Sequence, residues 1–248
     1  MSIIRPFKGI RPRADLASAI AALPYDVYNS EEAREIVAAE PKSFLQIDRA
    51  ETLLPKGTNP YSEAVYKTAS ETLNRMIDEG SFLQDKEPCY YLYALTMNGR
   101  TQTGLVGCAS IDDYCNNVIL KHENTLEAKE DRIRHIDACS AQTGPIFLAY
   151  RADKKLGEII KNVRLTPEVY DFTSDDGIRH EVWRIDKMST IVDISKIFEA
   201  IPHLYIADGH HRAASAVKVG LKRRAEDLHF SETKEYNYFL SVLFPADE

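Results

Sequence analysis

His203-Leu204-Tyr205-Ile206-Ala207, then Asp208-Gly209-His210-His211-Arg212, then Ala213 to Val219 is the stretch from which the chain is best read. The first five residues have strand character. The next five make a polar turn, and the small and aliphatic run after them predicts a helix ended by Gly220. A glycine after a strand lets the backbone bend sharply and approach a ligand. The start of the following helix presents N–H groups at a positive dipole end, a geometry that favours anions. His210, His211 and Arg212 add donors and charge, and arginine grips phosphate in a two-pronged fashion. Asp208 either caps the helix or positions a metal ion or hydroxyl. The plainer alternative is a helix cap with two incidental surface histidines. A zinc site from His203, His210 and His211 is disfavoured, because adjacent histidines converge poorly on one ion and no cysteine supports them. No metal ligands are therefore assigned.

Elsewhere, the prolines of residues 1–28 predict short strands and ordered loop. Asn29 and Glu32 have capping-box spacing before a helix that Pro41 ends. Phe44-Leu45-Gln46-Ile47 reads as a strand, and residues 51–59 as loop. Asn59-Pro60 starts a long helix ended by Gly80. Asn98-Gly99 between strand-like runs, Cys89 to Met97 and on through Val106, is a hairpin signal. Asp176-Gly177 marks a second hairpin between Val169–Thr173 and Ile178–Asp186. Further strands are expected at 117–120, 145–150 and 236–244, and helices at 124–140, 156–163 and 188–201. The mixture predicts an α+β (mixed α/β) fold with a mixed sheet and hairpins. It forms one domain over 1–248, with an N-terminal α/β part (1–85) and a second part (86–248). The end just after an apolar strand leads us to expect that the natural protein continues.

A second constellation runs from His122-Glu123-Asn124-Thr125 to His135. Asn124 has cap spacing to Glu127, and Thr125, Lys129, Arg132 and Ile136 share one helical face. Leu126 and Ile133 would face the core. Two cations beside a threonine, with His122 and Glu123 ahead of them, are what phosphoryl transfer uses: positive charge for the transferred group and a carboxylate for the attacking hydroxyl. The bland reading is a solvated charged helix with pairs such as Glu130–Arg134.

Tyr205 to Arg212 resembles the signature turn of the ParB/sulfiredoxin-like fold, whose G-x-H-R type turn holds nucleotide phosphates. D-G-H-H-R is similar to the turn of free-serine kinases of that fold. Sulfiredoxins carry a reactive cysteine there, which is missing from Leu204 to Arg212, so the resemblance speaks against sulfinic-acid repair. Together with Arg5-Pro6-Phe7-Lys8-Gly9-Ile10-Arg11-Pro12, Pro24-Tyr25-Asp26-Val27 and Thr143-Gly144-Pro145-Ile146-Phe147, the two constellations resemble a widespread bacterial and archaeal family of unknown function. Related kinases place an acidic base in their N-terminal portion, which makes Asp26 a candidate beside Glu123. A turn-stabilising aspartate is the alternative.

Composition narrows the classes. The chain has 248 residues, 44% hydrophobic and 28% charged, with a net charge of −7. That acidity disfavours a nucleic-acid binder. No run approaches the roughly 20 apolar residues of a membrane span, and Met1 to Pro6 has no signal-peptide pattern. Cys89, Cys108, Cys115 and Cys139 lack C-x-x-C spacing, so they read as reduced thiols in a cytoplasm, mostly core residues. Trp183 reads as packing. Adjacent tyrosines in Tyr90-Tyr91-Leu92-Tyr93 point to opposite faces and so share no stacking platform. Asp48-Arg49 reads as a surface ion pair, with a place lining a cleft as the alternative. No P-loop, dinucleotide fingerprint or nucleophile elbow is present.

The resulting expectation is a nucleotide-dependent phosphotransferase acting on serine or a similar hydroxyl metabolite, the acceptor being implied by resemblance alone. ATP or ADP with Mg²⁺ would be the donor. Gly209, His210, His211, Arg212, Lys129, Arg132, His122 and Thr125 would hold phosphates, with Glu123, Asp26 and Asp208 catalytic. The alternatives are a non-enzymatic nucleotide or phospho-ligand sensor and a ParB-like nucleic-acid adaptor. Oligomeric state stays open.

Overall fold

The computed structural model describes residues 1–121 and 128–247. In chain order they form β1 (Ile4–Arg5), β2 (Ile10–Pro12), α1 (Ala17–Ile20), α2 (Ser30–Ala39), α3 (Leu45–Asp48), α4 (Glu63–Asp78), β3 (Phe82–Gln84), β4 (Tyr90–Met97) and β5 (Arg100–Ser110). There follow α5 (Ile111–Cys115), β6 (Ile119–Leu120), α6 (Glu130–Cys139), β7 (Ile146–Tyr150), α7 (Lys154–Val163), β8 (Tyr170–Thr173), β9 (Arg179–Ile185), α8 (Met188–Ala200), β10 (Leu204–Asp208), α9 (His210–Glu226) and β11 (Tyr238–Pro245). The fold is α+β, as expected.

The main sheet has the order β6-β10-β7-β11-β5-β4-β9-β8. The β6–β10 and β7–β11 pairs are parallel and the others antiparallel. β5 is long enough to take β4 along Arg100–Val106 and β1 at Cys108–Ala109, while β11 holds its other edge. Asn98 and Gly99 both have positive φ (52° and 78°), the requirement of the tight turn that joins β4 to β5. Gly177, at φ 80°, serves the β8–β9 hairpin.

One sheet face is closed by α7 and α8. Phe198 of α8 packs edge-on to Tyr150, and Tyr90 hydrogen-bonds Ser195. Trp183 is buried in this core and donates its indole N–H to Thr166. The other face meets α9 and an N-terminal layer in which Ile20, Ile47, Ala69, Leu73, Met76 and Phe82 form a second core. Cys89, Cys108 and Cys139 are buried and none is disulfide-bonded. Burial pushes their thiols up, Cys139 to about 12. Among the described residues no helix is long and apolar enough to cross a membrane.

Several local expectations are corrected. Ala14–Ile20 is helical rather than loop. Residues 44–47 are a helical turn, not a strand, because Leu45, Gln46 and Ile47 are all buried and a four-residue apolar run carries no usable period. A short 3₁₀ turn, Ala50–Leu53, stands where loop is expected. The Asn59-Pro60 helix begins at Glu63, with Ser62 at the N-cap position but no side-chain cap. The asparagine capping box at Asn29 and Glu32 is present. Gly220 does not end α9, which runs on to Glu226. A Cβ at Gly220 would strike the backbone carbonyl of Tyr236, so the glycine serves close packing.

Helical glycines ordinarily cost roughly 1 kcal/mol relative to alanine. Gly220→Ala should reverse that sign and destabilise by about 1–3 kcal/mol through overpacking. Gly157→Ala in α7, where a Cβ meets nothing within 4 Å, should stabilise by about 0.5–1 kcal/mol. Urea unfolding of both variants checks the pair; equal shifts would contradict the packing account.

Candidate functional site

α3 ends in Asp48 and Arg49, and the two side chains diverge. Arg49 pairs with Glu51 at 2.8 Å and donates to the carbonyls of Tyr25 and Tyr28, fixing that loop. Asp48 turns instead into a cavity of about 440 Å³ between the sheet and the N-terminal layer. The expected surface ion pair does not form.

Four segments converge on the Asp48 carboxyl. The Thr143 hydroxyl donates to it at 2.6 Å, and His135 Nε2 lies 3.9 Å away. His135 donates Nε2–H to the Ile47 carbonyl at 3.1 Å, which fixes its tautomer. Arg132 lies beneath the Tyr25 ring, 3.9 Å from its centroid, and pairs with Asp131 at 2.9 Å. Arg212 reaches in from α9. Its guanidinium donates to Pro145 O at 2.7 Å and to Asp208 at 2.8 Å. Cβ atoms at Gly144 or Gly209 would lie 3.2–3.3 Å from that guanidinium, so both glycines make room for it. Gly209, at φ 86°, also needs the left-handed conformation.

Burial pushes the Asp48 carboxyl above the ordinary carboxylate range, against the pull of His135, Thr143, Arg132 and Arg212. Burial also pulls His135 below the usual imidazole value, which Asp48 partly offsets. Arg132 loses from burial but gains more from Asp131 and Asp48, so it stays firmly charged. The site therefore offers a proton-accepting carboxyl, a neutral histidine and two fixed cations facing one space.

The predicted residues fall into distinct groups. Arg132 and Arg212 line the cavity together. Asp208 does not cap α9, whose N-cap is Gly209 with no side-chain cap; it clamps Arg212 instead. His210 and His211 open α9 and are half-buried, and His210 Nε2 is buried with no hydrogen-bond partner among the described residues. Lys129 is exposed and precedes α6 as its N-cap, so it is not one helical step from Arg132. The buried face of α6 is Arg132, His135 and Cys139, with Ile133 only half-buried. Arg134 pairs with Glu63 rather than Glu130. Asp26 is exposed and does not line the cavity. His122, Glu123 and Thr125 lie outside the described residues. Among the described residues no three His, Cys, Asp or Glu side chains gather as a metal site would need.

Asp48, His135, Thr143 and Tyr25 were not named as site residues from sequence. Tyr25 and Thr143 stand inside the stretches that carry the family resemblance, which was the available signal. Asp48 follows a run that reads as strand, and lining a cleft is the lesser of its two sequence readings.

These features define an α+β protein with a cationic and acid–base pole in a cleft between sheet and helical layer. Over residues 4–248 the chain matches the family described as "Protein of unknown function (DUF1015)", and it belongs to that family. No curated protein and no solved structure matches it.

A carboxyl whose folded pKa is raised costs stability once it ionises. The cost is absent in acid, where both states are protonated, and complete above the raised value. Asp48→Asn keeps the acceptor for Thr143, and Arg132 and Arg212 keep Asp131 and Asp208. It should melt a few degrees above the wild type near neutral pH, with the gap closing as pH falls toward 3.8. Thermal scans across pH check this; a lower melting point at neutral pH would contradict it.

Proposed function

We propose that this chain is a phosphotransferase that moves a phosphoryl group from a nucleotide to the hydroxyl of a small metabolite such as serine. The observation that carries the reading is Asp48, a carboxyl of raised proton affinity in one cavity with Arg132 and Arg212. A base poised upward from the usual carboxylate range is better matched to an alcohol. The acceptor hydroxyl gives its proton to Asp48 as its oxygen bonds to phosphorus. The bond from phosphorus to the donor's bridging oxygen breaks, and the departing phosphate keeps the electron pair. The two guanidinium groups stabilise the charge on the equatorial oxygens. Thr143, donating at 2.6 Å, holds Asp48 in place, and His135, anchored to Ile47, packs beside it.

The likeness of Tyr205 to Arg212 to the ParB/sulfiredoxin-like turn supports placing donor phosphates near the start of α9. The residues present fit Mg²⁺ only as an ion carried mainly by phosphate oxygens, because among the described residues the cavity lining offers two carboxylates, Asp48 and Asp176, and Asp176 is engaged by Ser174. Bound there, the ion would neutralise phosphate charge.

A second reading, a non-enzymatic sensor of a phosphorylated ligand, draws on Arg212 being already satisfied by Asp208 and Pro145. The net charge of −7 weighs against a nucleic-acid adaptor.

Phosphorus NMR of the full chain with ATP, ADP, CTP or pyrophosphate and an amino-acid panel separates these readings. The phosphotransferase reading expects a new phosphoester signal, a loss of about 10²–10⁴-fold in rate for Asp48→Asn, and at least about tenfold weaker donor binding for Arg212→Ala. Tight binding without turnover supports the sensor. Turnover untouched by Asp48→Asn contradicts the assignment of the base.

A further inference from the structure

Beyond Asp48 the cleft continues along the sheet and changes character. A second cavity of about 390 Å³ shares Phe44, Tyr93, Thr143 and His180 with the first. Its sheet wall carries three rings from three strands: Tyr93 on β4, His180 on β9 and Phe172 on β8. Period-two alternation and the register Phe172↔His180 put them on one face. Their planes are nearly parallel. The Phe172–His180 centroids lie 5.0 Å apart at 18°, and the Tyr93–His180 centroids 6.0 Å apart at 16°. The three rings therefore stack on one another in a row across the strands, a row that the tyrosines along β4 alone could not make.

The polar atoms of this wall are already engaged. Tyr93 O–H donates to His180 Nδ1 at 2.7 Å, and His180 Nε2–H donates to Ser174, which is 2.9 Å away and itself donates to Asp176. Gln142 donates to Tyr238 O and accepts from Leu240 N–H. The facing wall includes Ile20, Phe44 and Phe82. A guest gains little here by hydrogen bonding and much by apolar area and ring contact. Thr143 touches both spaces and bonds Asp48, so the ring wall and the charged pole are one residue apart.

We propose that this arm binds a flat aromatic or heteroaromatic ring belonging to the same molecule whose anionic group sits at the Asp48–Arg132–Arg212 pole. The assignment rests on that pole binding an anion, as in the proposed function. It deepens that reading by specifying the ligand: an anion joined by a short linker to a planar ring. A nucleobase and a simple aryl group share this chemistry.

Calorimetric titration of the full chain distinguishes the cases, comparing phenyl phosphate with inorganic phosphate and ADP with pyrophosphate. Each ring-bearing ligand should bind about tenfold or more tightly than its ring-free counterpart. Phe172→Leu, on the sheet-edge strand β8, should remove most of that advantage and leave the ring-free anions unchanged. Saturation-transfer NMR on the wild type should show ring protons in contact with protein, a reading that does not depend on a variant folding. A larger ring advantage for ADP assigns the arm to a nucleobase, and a larger one for phenyl phosphate to an aryl group. Equal affinity with and without the ring, together with silent ring protons, overturns the inference while leaving the anion pole standing. No binding by any of the four ligands overturns both.

Discussion

Holding one carboxyl, Asp48, away from bulk water beside a threonine, a histidine and two arginines is the constraint on which the site rests. A buried charge is costly unless it is paired and hydrogen-bonded. Its partners come from distant parts of the chain: α3 supplies Asp48, α6 supplies Arg132 and His135, the loop before β7 supplies Thr143, and α9 supplies Arg212. Each arginine also has its own carboxylate, Asp131 or Asp208, so the cations hold their positions without relying on Asp48. Asp48 is thus left as the proton-exchanging member of a pre-arranged set.

The topology makes the convergence feasible. β10 lies beside β7, so the Gly209 turn and the Gly144 loop flank the same guanidinium. The antiparallel strands β4, β9 and β8 extend the same sheet and carry the rings of the cleft's other arm. Asp85 accepts from Arg11, Arg184 and Tyr91, tying the β2–β3 ribbon of the N-terminal layer to the sheet. Arg49 and Glu51 brace the loop that lays Tyr25 over Arg132. The framework is tied by hydrogen bonds and ion pairs where charge must be placed.

Features governed by local chemistry were legible from sequence. Asn98-Gly99 specified its hairpin because few other residue pairs adopt two successive positive φ values. Asn29 and Glu32 marked a helix start through a reciprocal hydrogen-bond pattern. The strand–turn–helix around Gly209 was visible for the same reason, and with it Arg212. Features governed by tertiary contact were not. The turn at Leu45–Asp48 is helical because buried neighbours surround it, including Gln46, which bonds Pro41 and Arg75. Gly220 resembles a helix stop, and only the approach of the Tyr236 carbonyl shows its purpose. Asp48 admits both a surface and a cleft reading, and only α6 and the Thr143 loop folded against it decide between them. The charged run of α6 admits a solvated-face reading beside the cationic one that includes Arg132, and only the fold shows that its buried side also bears His135.

The central claim concerns the protonation of one side chain. A ¹³C-detected pH titration of the Asp48 carboxyl, assigned by comparison with Asp48→Asn, addresses it most directly. The account predicts a midpoint above the ordinary aspartate value of 3.8, moving further upward when inorganic phosphate fills the neighbouring space, because a second negative charge there favours the protonated acid. A midpoint at or below the ordinary value, unmoved by phosphate, would contradict it.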